Sequence, residues 1–111
     1  MAVTTQSYGT EIEELVSRIV SRFRPLRVIL FGSRARGTGQ PDSDADILVV
    51  MPVKGSRREA ATEIDIALIG IKLPVDIIVA TPEDIARSGD MFGTVIHEAL
   101  EEGKVLYDQR G

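Results

Sequence analysis

Asp44 and Asp46 stand two residues apart at the start of an apolar run, Asp44-Ala45-Asp46-Ile47-Leu48-Val49-Val50-Met51. In an extended strand, residues i and i+2 share a face and lie roughly 6.5 Å apart along the chain. Two carboxylates so placed repel each other unless a cation joins them, and oxygen donors of this kind suit Mg²⁺ or Mn²⁺. Asp76 is the lone charge in Pro74-Val75-Asp76-Ile77-Ile78-Val79-Ala80. If that run pairs beside the first, about 4.8 Å away, Asp76 joins the other two acids on one face. Three carboxylates meeting there can hold two cations roughly 3.5–4 Å apart, the arrangement used for in-line phosphoryl displacement. Upstream, Gly32-Ser33 closes another apolar run. Glycine there lets the backbone approach a ligand closely, and the amides that follow, with the Ser33 hydroxyl, suit phosphate oxygens. Arg34 and Arg36 sit beside them; each can fork onto phosphate or remain a solvated surface charge.

Bland readings compete at each position. Asp42, Ser43 and Asp44 are common turn residues, although Asp46 resists that reading because four branched apolar residues follow it. Asp76 could be an exposed residue of an edge strand. Gly32–Thr38 nearly matches a phosphate-binding P-loop, but Thr38 stands where the lysine belongs, and Gly39 and Pro41 interrupt the helix that should follow. That motif is rejected. Lys54, Arg57 and Arg58 read as a solvated helix start, and His97 as an exposed structural residue.

The elements that must position these residues are legible in outline. Residues 1–9 are polar without periodicity and read as a loose lead-in. Thr10-Glu11-Ile12-Glu13 has the form of a capping box. Ile12, Leu15, Val16, Ile19, Val20 and Phe23 then follow at helical spacing, up to Pro25. Leu26–Phe31, Asp44–Met51 and Val75–Ala80 read as strands, with a helical turn over Ser33–Arg36 and a loop over Gly37–Ser43. Arg57–Ile69 reads as a helix carrying Ala60, Ala61, Ile64 and Leu68 on one side. Thr81-Pro82 starts another helix, with threonine as cap and proline in the first position. A last helix over Thr94–Glu102 ends at Gly103, and Val105–Tyr107 reads as an edge strand. The expected fold is α/β (α+β), a small mixed sheet flanked by helices, in a single domain over residues 1–111.

Gly32-Ser33, ten intervening residues, Asp44-x-Asp46 and a later strand aspartate together resemble the DNA polymerase β-like nucleotidyltransferase superfamily. Phe31–Gly37 (FGSRARG) and Ser43–Val49 (SDADILV) look most like its minimal nucleotidyltransferase branch, and the resemblance covers roughly residues 26–80. It implies that Gly32 and Ser33 hold the triphosphate of ATP or another NTP. It further implies that Asp44 and Asp46 bind two Mg²⁺ ions, and that Asp76 binds the catalytic one and helps to activate an acceptor hydroxyl. Some members of that branch resemble antitoxins that attach AMP to a tyrosine of an all-helical HEPN-type RNase toxin. By that resemblance the expected activity is protein adenylyltransferase, with ATP and a HEPN-type toxin as partners.

Composition excludes other classes. The chain has 111 residues and 43% hydrophobic content, enough for a core. It lacks cysteine, so disulfides, thiolate zinc sites and a cysteine nucleophile are out, and a lone histidine forbids a multi-histidine cage. A net charge of −4 argues against general attraction to nucleic acid. No apolar run is long enough for a bilayer, and the opening MAVTTQSYGT is not a secretion signal, so a cytoplasmic location is expected. Two other functions fit the same residues: an antitoxin acting by occlusion alone, or transfer to a small molecule or nucleic acid with help from a partner subunit.

Overall fold

In a computed structural model the chain is described at residues 2–3, 9–37, 44–88 and 94–110, apart from the side chains of Ala2, Val3, Arg36 and Ser88. The expected loop over 37–43 therefore falls outside the described residues, except for Gly37 and its turn. Helix α1 (Thr10–Phe23) buries Ile12, Leu15, Val16, Ile19 and Val20, the residues whose spacing predicts it. Arg24 turns left-handed and donates its amide to the Val20 carbonyl, ending the helix ahead of Pro25. The Thr10–Glu13 capping box does not form. Gly9 caps the helix at φ 106° with no side-chain hydrogen bond, and the Glu13 amide donates to the Gly9 carbonyl at 3.1 Å. Glycine's positive φ admits the chain one residue early, so Thr10 already lies inside the first turn.

The strands are β1 (Ala2–Val3), β2 (Arg27–Phe31), β3 (Ala45–Val50), β4 (Val75–Ala80) and β5 (Lys104–Asp108). They form one mixed sheet in the order β1-β5-β2-β3-β4. Only β3 and β4 run parallel, which requires a crossover connection; α3 (Arg57–Ala67) supplies it. Two expectations change at the other side of the sheet. Residues 2–3 are a strand, with Ala2 opposite Asp108 and Val3 opposite Tyr107. As a result β5 is an interior strand, flanked by β1 and β2. Two residues carry no periodicity, so nothing local announces β1.

Both faces are covered. Val28, Leu30, Ile47, Val49, Ile77 and Val79 join α1 and Ile64 of α3 in one core. On the opposite face Ile29, Phe31, Leu48, Val50 and Ala80 meet α4 (Pro82–Ser88) and α5 (Val95–Glu102) through Ile85, Ile96, Ala99 and Leu100. Strands β2 and β3 are thus apolar on both sides, which is why they read as unbroken runs and not as alternation. At Gly103 a β-carbon would strike the Ala99 carbonyl and lie 2.5 Å from Ile29 Cγ2, so α5 leaves for β5 as close to β2 as glycine permits. Among the described residues no helix is long and apolar enough to cross a membrane.

The start of α4 is locked to that of α3. Thr81 caps α4 as its sequence predicts: Thr81 Oγ1 accepts the Asp84 amide at 3.1 Å, and the Thr81 amide donates to Asp84 Oδ2 at 3.0 Å. Asp84 also accepts from Arg57 Nε, from Arg57 Nη2 at 2.9 Å and from Arg87 Nη2 at 3.0 Å. Lys54, Arg57 and Arg58 are exposed, as a solvated helix start should be, but Arg57 is committed to this bond. The Arg57 hydrogen bond, then the Thr81 amide, holds the Asp84 carboxyl well below the usual carboxylate range. A carboxyl depressed in the folded state stabilises above its unfolded value, about 3.9, and that stability is lost as pH falls through the folded one. Lowering the pH from about 5 to about 2 should therefore cost the natural protein more stability than Asp84→Asn. Denaturant melts at the two ends check this; equal losses would refute it.

Candidate active site

Strand β2 ends at Phe31, and Gly32 turns the chain into the short helix α2 (Ser33–Arg36). Gly32 has φ 78° and ψ −159°, a region open essentially to glycine alone. Space demands glycine as well. A β-carbon at Gly32 would collide with Asp46 Oδ2 and lie 3.2 Å from Asp46 Cγ. The two motifs, ten residues apart in sequence, are therefore in contact. The Ala35 amide closes the turn onto the Gly32 carbonyl at 3.1 Å, and Gly37 ends it in a left-handed conformation. Ser33 and Arg34 are half-buried at this corner, and neither is a free side chain. The Arg36 side chain lies outside the described residues.

The carboxylates come from two neighbouring strands. Asp46 stands opposite Phe31 in the antiparallel β2–β3 pair and beside Asp76 in the parallel β3–β4 pair. Residues level with each other in a parallel pair point to the same face, about 4.8 Å apart. The expected pairing of the two runs is what the register delivers. Asp44 sits one residue ahead of β3, exposed; Asp46 is half-buried and Asp76 exposed. The Ala45 amide donates to the Pro74 carbonyl at 2.9 Å and pins the start of β3 to that of β4. Among the described residues, however, no three acidic or histidine side chains are gathered into a closed metal-binding cluster. The arrangement is an open row of oxygen donors beside a glycine-lined corner.

One acid near the site escapes sequence reasoning. Desolvation of its carboxyl by the surrounding protein, and then the charge of Asp76, raises Asp65 above its ordinary value although the residue is largely exposed. Asp65 is on α3, and only the packing of that helix against β4 brings it near Asp76; no spacing in the sequence signals it. His97 is half-buried on α5, not exposed as its position suggests, and its amide donates to Thr94 Oγ1 at 3.0 Å.

A mixed sheet with helices on both faces, and acids of two adjacent strands set against a glycine–serine turn, defines the class: a nucleotidyltransferase fold. A family model described as a nucleotidyltransferase domain matches residues 12–106, and the chain belongs to that family. The match spans every candidate site residue. The chain is similar to a candidate nucleotidyltransferase from Sulfolobus solfataricus, at 25% identity and TM-score 0.63, over 90% of this chain and 79% of that one. It also shares its fold with a chain of a toxin–antitoxin structure with AMP-PNP, at 22% identity and TM-score 0.59, over 92% of this chain and 76% of the other. A chain of the toxin–antitoxin MntA–HepT has the same fold at 21% identity and TM-score 0.50, over 90% and 72%. No curated protein sequence matches significantly.

Proposed function

We propose that the chain is a Mg²⁺-dependent nucleotidyltransferase that moves AMP from ATP onto a tyrosine hydroxyl of a HEPN-type helical toxin, and so acts as its antitoxin, a single minimal domain working in the cytoplasm. The observation that carries the transferase part is the register that sets Asp46 beside Asp76, with Gly32 against the Asp46 carboxylate. The choice of ATP and of a toxin partner draws on two structures of this fold, described as toxin–antitoxin complexes, one with AMP-PNP.

The open donor row fits the hard cation. Mg²⁺ keeps few protein ligands and completes its shell with substrate phosphates and water, so an all-protein cage is not required. Asp44 and Asp46 would hold the ions, Mg²⁺ or Mn²⁺, and Asp76 would share the catalytic one. Bound there, divalent cations would neutralise the triphosphate and the charge developing on the entering and leaving oxygens. Ser33 and the amides of its turn, with Arg34 and Arg36, would orient the β- and γ-phosphates. Asp76 would hold the proton of the acceptor hydroxyl. The acceptor oxygen bonds to the α-phosphorus, the bond from that phosphorus to the bridging oxygen breaks, and pyrophosphate leaves. Positioning and charge neutralisation would supply most of the rate.

The test is transfer of label from α-labelled ATP to a HEPN-type helical protein co-encoded with this chain, sought as its partner. Tyrosine labelling that needs Mg²⁺ and disappears in Asp44→Asn/Asp46→Asn supports the reading. An intact acid set that labels nothing on that partner sinks the assignment of acceptor. If the double variant still neutralises the partner, antitoxin action is occlusion and not chemistry.

A further inference from the structure

Helix α3 buries Ala60, Ile64 and Ala67 against the sheet, which by helical geometry turns Ile66 away from it. Ile66 is 61% exposed and Ile69, in the turn that follows, 73%; both values exceed those of the other exposed large apolar residues described. Single exposed isoleucines are ordinary. These two share one turn, and that turn is firmly held. The Leu68 amide donates to the Ile64 and Asp65 carbonyls, the Ile69 amide to Ile66 at 3.2 Å and the Ile71 amide to Leu68 at 3.2 Å. Arg18 reaches over from α1, with Nη1 donating to the Ala67 carbonyl at 3.2 Å and to the Ile69 carbonyl at 2.9 Å.

The turn adjoins the acidic end of the sheet. Four residues separate Gly70 from β4, an edge strand whose second residue is Asp76. Glu63 and Asp65 stand on α3 beside the isoleucines, both exposed; Asp44 and Asp76 lie at the same end of the sheet, and alternation along β4 turns Asp76 to the face opposite α3. Arg18 is committed to Glu14 and to backbone carbonyls, and Lys72 is the exposed cation that follows the turn in sequence. The turn is apolar, with the acids of α3 beside it.

We propose that the Ile66–Ile69 turn is the docking surface for the protein that carries the acceptor hydroxyl, through a segment whose apolar side chains are set among lysines and arginines. This rests on the transferase reading above and names the surface by which that site receives its acceptor. An apolar anchor in a complementary charged rim supplies affinity at the centre and speeds encounter at the edge. Because the turn lies at the end of the sheet where β4 begins, contact there sets the approach to Asp76 over that end, and accurate placement of the hydroxyl is where such energy has most effect.

Amide spectra of the ¹⁵N-labelled chain test it with three short tyrosine peptides: leucines flanked by lysines, the same with glutamates for lysines, and the same with serines for leucines. The first should shift amides across residues 63–73, bind more weakly as salt rises, and lose about tenfold in affinity in Ile66→Ser/Ile69→Ser. Both positions are exposed, so the variant should melt like the natural protein. Failure of the first peptide to bind, equal binding of the glutamate or serine peptide, unchanged affinity in the variant, or shifts confined elsewhere would each overturn the proposal. So would sedimentation showing that the two isoleucines join two copies of this chain. ATP with Mg²⁺ is titrated separately: loss of its shifts at Gly32, Ser33 and Asp46 counts against the transferase reading alone, and leaves the peptide result to stand or fall by itself.

Discussion

Asp76→Asn should lower nucleotidyl transfer by on the order of 10²–10³-fold, about 3–4 kcal/mol of transition-state stabilisation, while raising the thermal stability of the metal-free protein. The two effects have one cause. In the folded chain Asp76 lies level with Asp46 on the adjacent strand and close enough to Asp65 for its charge to be felt there. Like charges directly opposite one another in a sheet cost roughly 0.2–1 kcal/mol, and exposure of Asp76 places the cost toward the lower end. Asparagine keeps the shape and removes the repulsion, so a melt in EDTA should rise by up to a few degrees. With Mg²⁺ and ATP present the order should reverse, because binding stabilises only the protein that can bind. Transfer within tenfold of the natural rate would refute the catalytic role. A lower melting temperature in EDTA would refute the repulsion.

Gly32→Ala is the second large effect. Alanine at φ 78°, ψ −159° costs of order 1–3 kcal/mol in backbone strain, and its β-carbon meets the Asp46 carboxylate besides. Relief by moving Asp46 would displace the very group that should bind metal, and a shift of about 1 Å can cost about 10²-fold in rate. Stability should fall by about 2–3 kcal/mol and transfer by about 10²-fold or more. Gly37→Ala is the control. Gly37 also has positive φ, 76°, but its ψ of 13° is ordinary left-handed backbone and nothing lies within 4 Å of an added β-carbon. That variant should lose only about 1 kcal/mol and keep its activity. Equal behaviour of the two in denaturant melts and transfer assays would show that the contact with Asp46 is irrelevant.

What the sequence determined by itself was local in origin. Helical spacing marked α1, unbroken branched runs marked β2, β3 and β4, and Thr81-Pro82 marked the start of α4, because each rests on side chains a few residues apart. The acid pair Asp44-x-Asp46 and the turn at Gly32-Ser33 were likewise visible as residue types at short spacing, and together with Asp76 they led to the family that the chain belongs to. Tertiary structure decided how these pieces meet. Whether Asp76 lies level with Asp46, or one residue out and on the other face, depends on the parallel register that the α3 crossover imposes. The contact of Gly32 with Asp46, the arrival of Asp65 near Asp76 and the enclosure of β5 by β1 are also long-range. Each is settled by burial summed over whole faces of the sheet. A window of neighbouring residues does not contain that sum, so the acids were legible in the sequence and their meeting could be expected, but the register that delivers it was not legible.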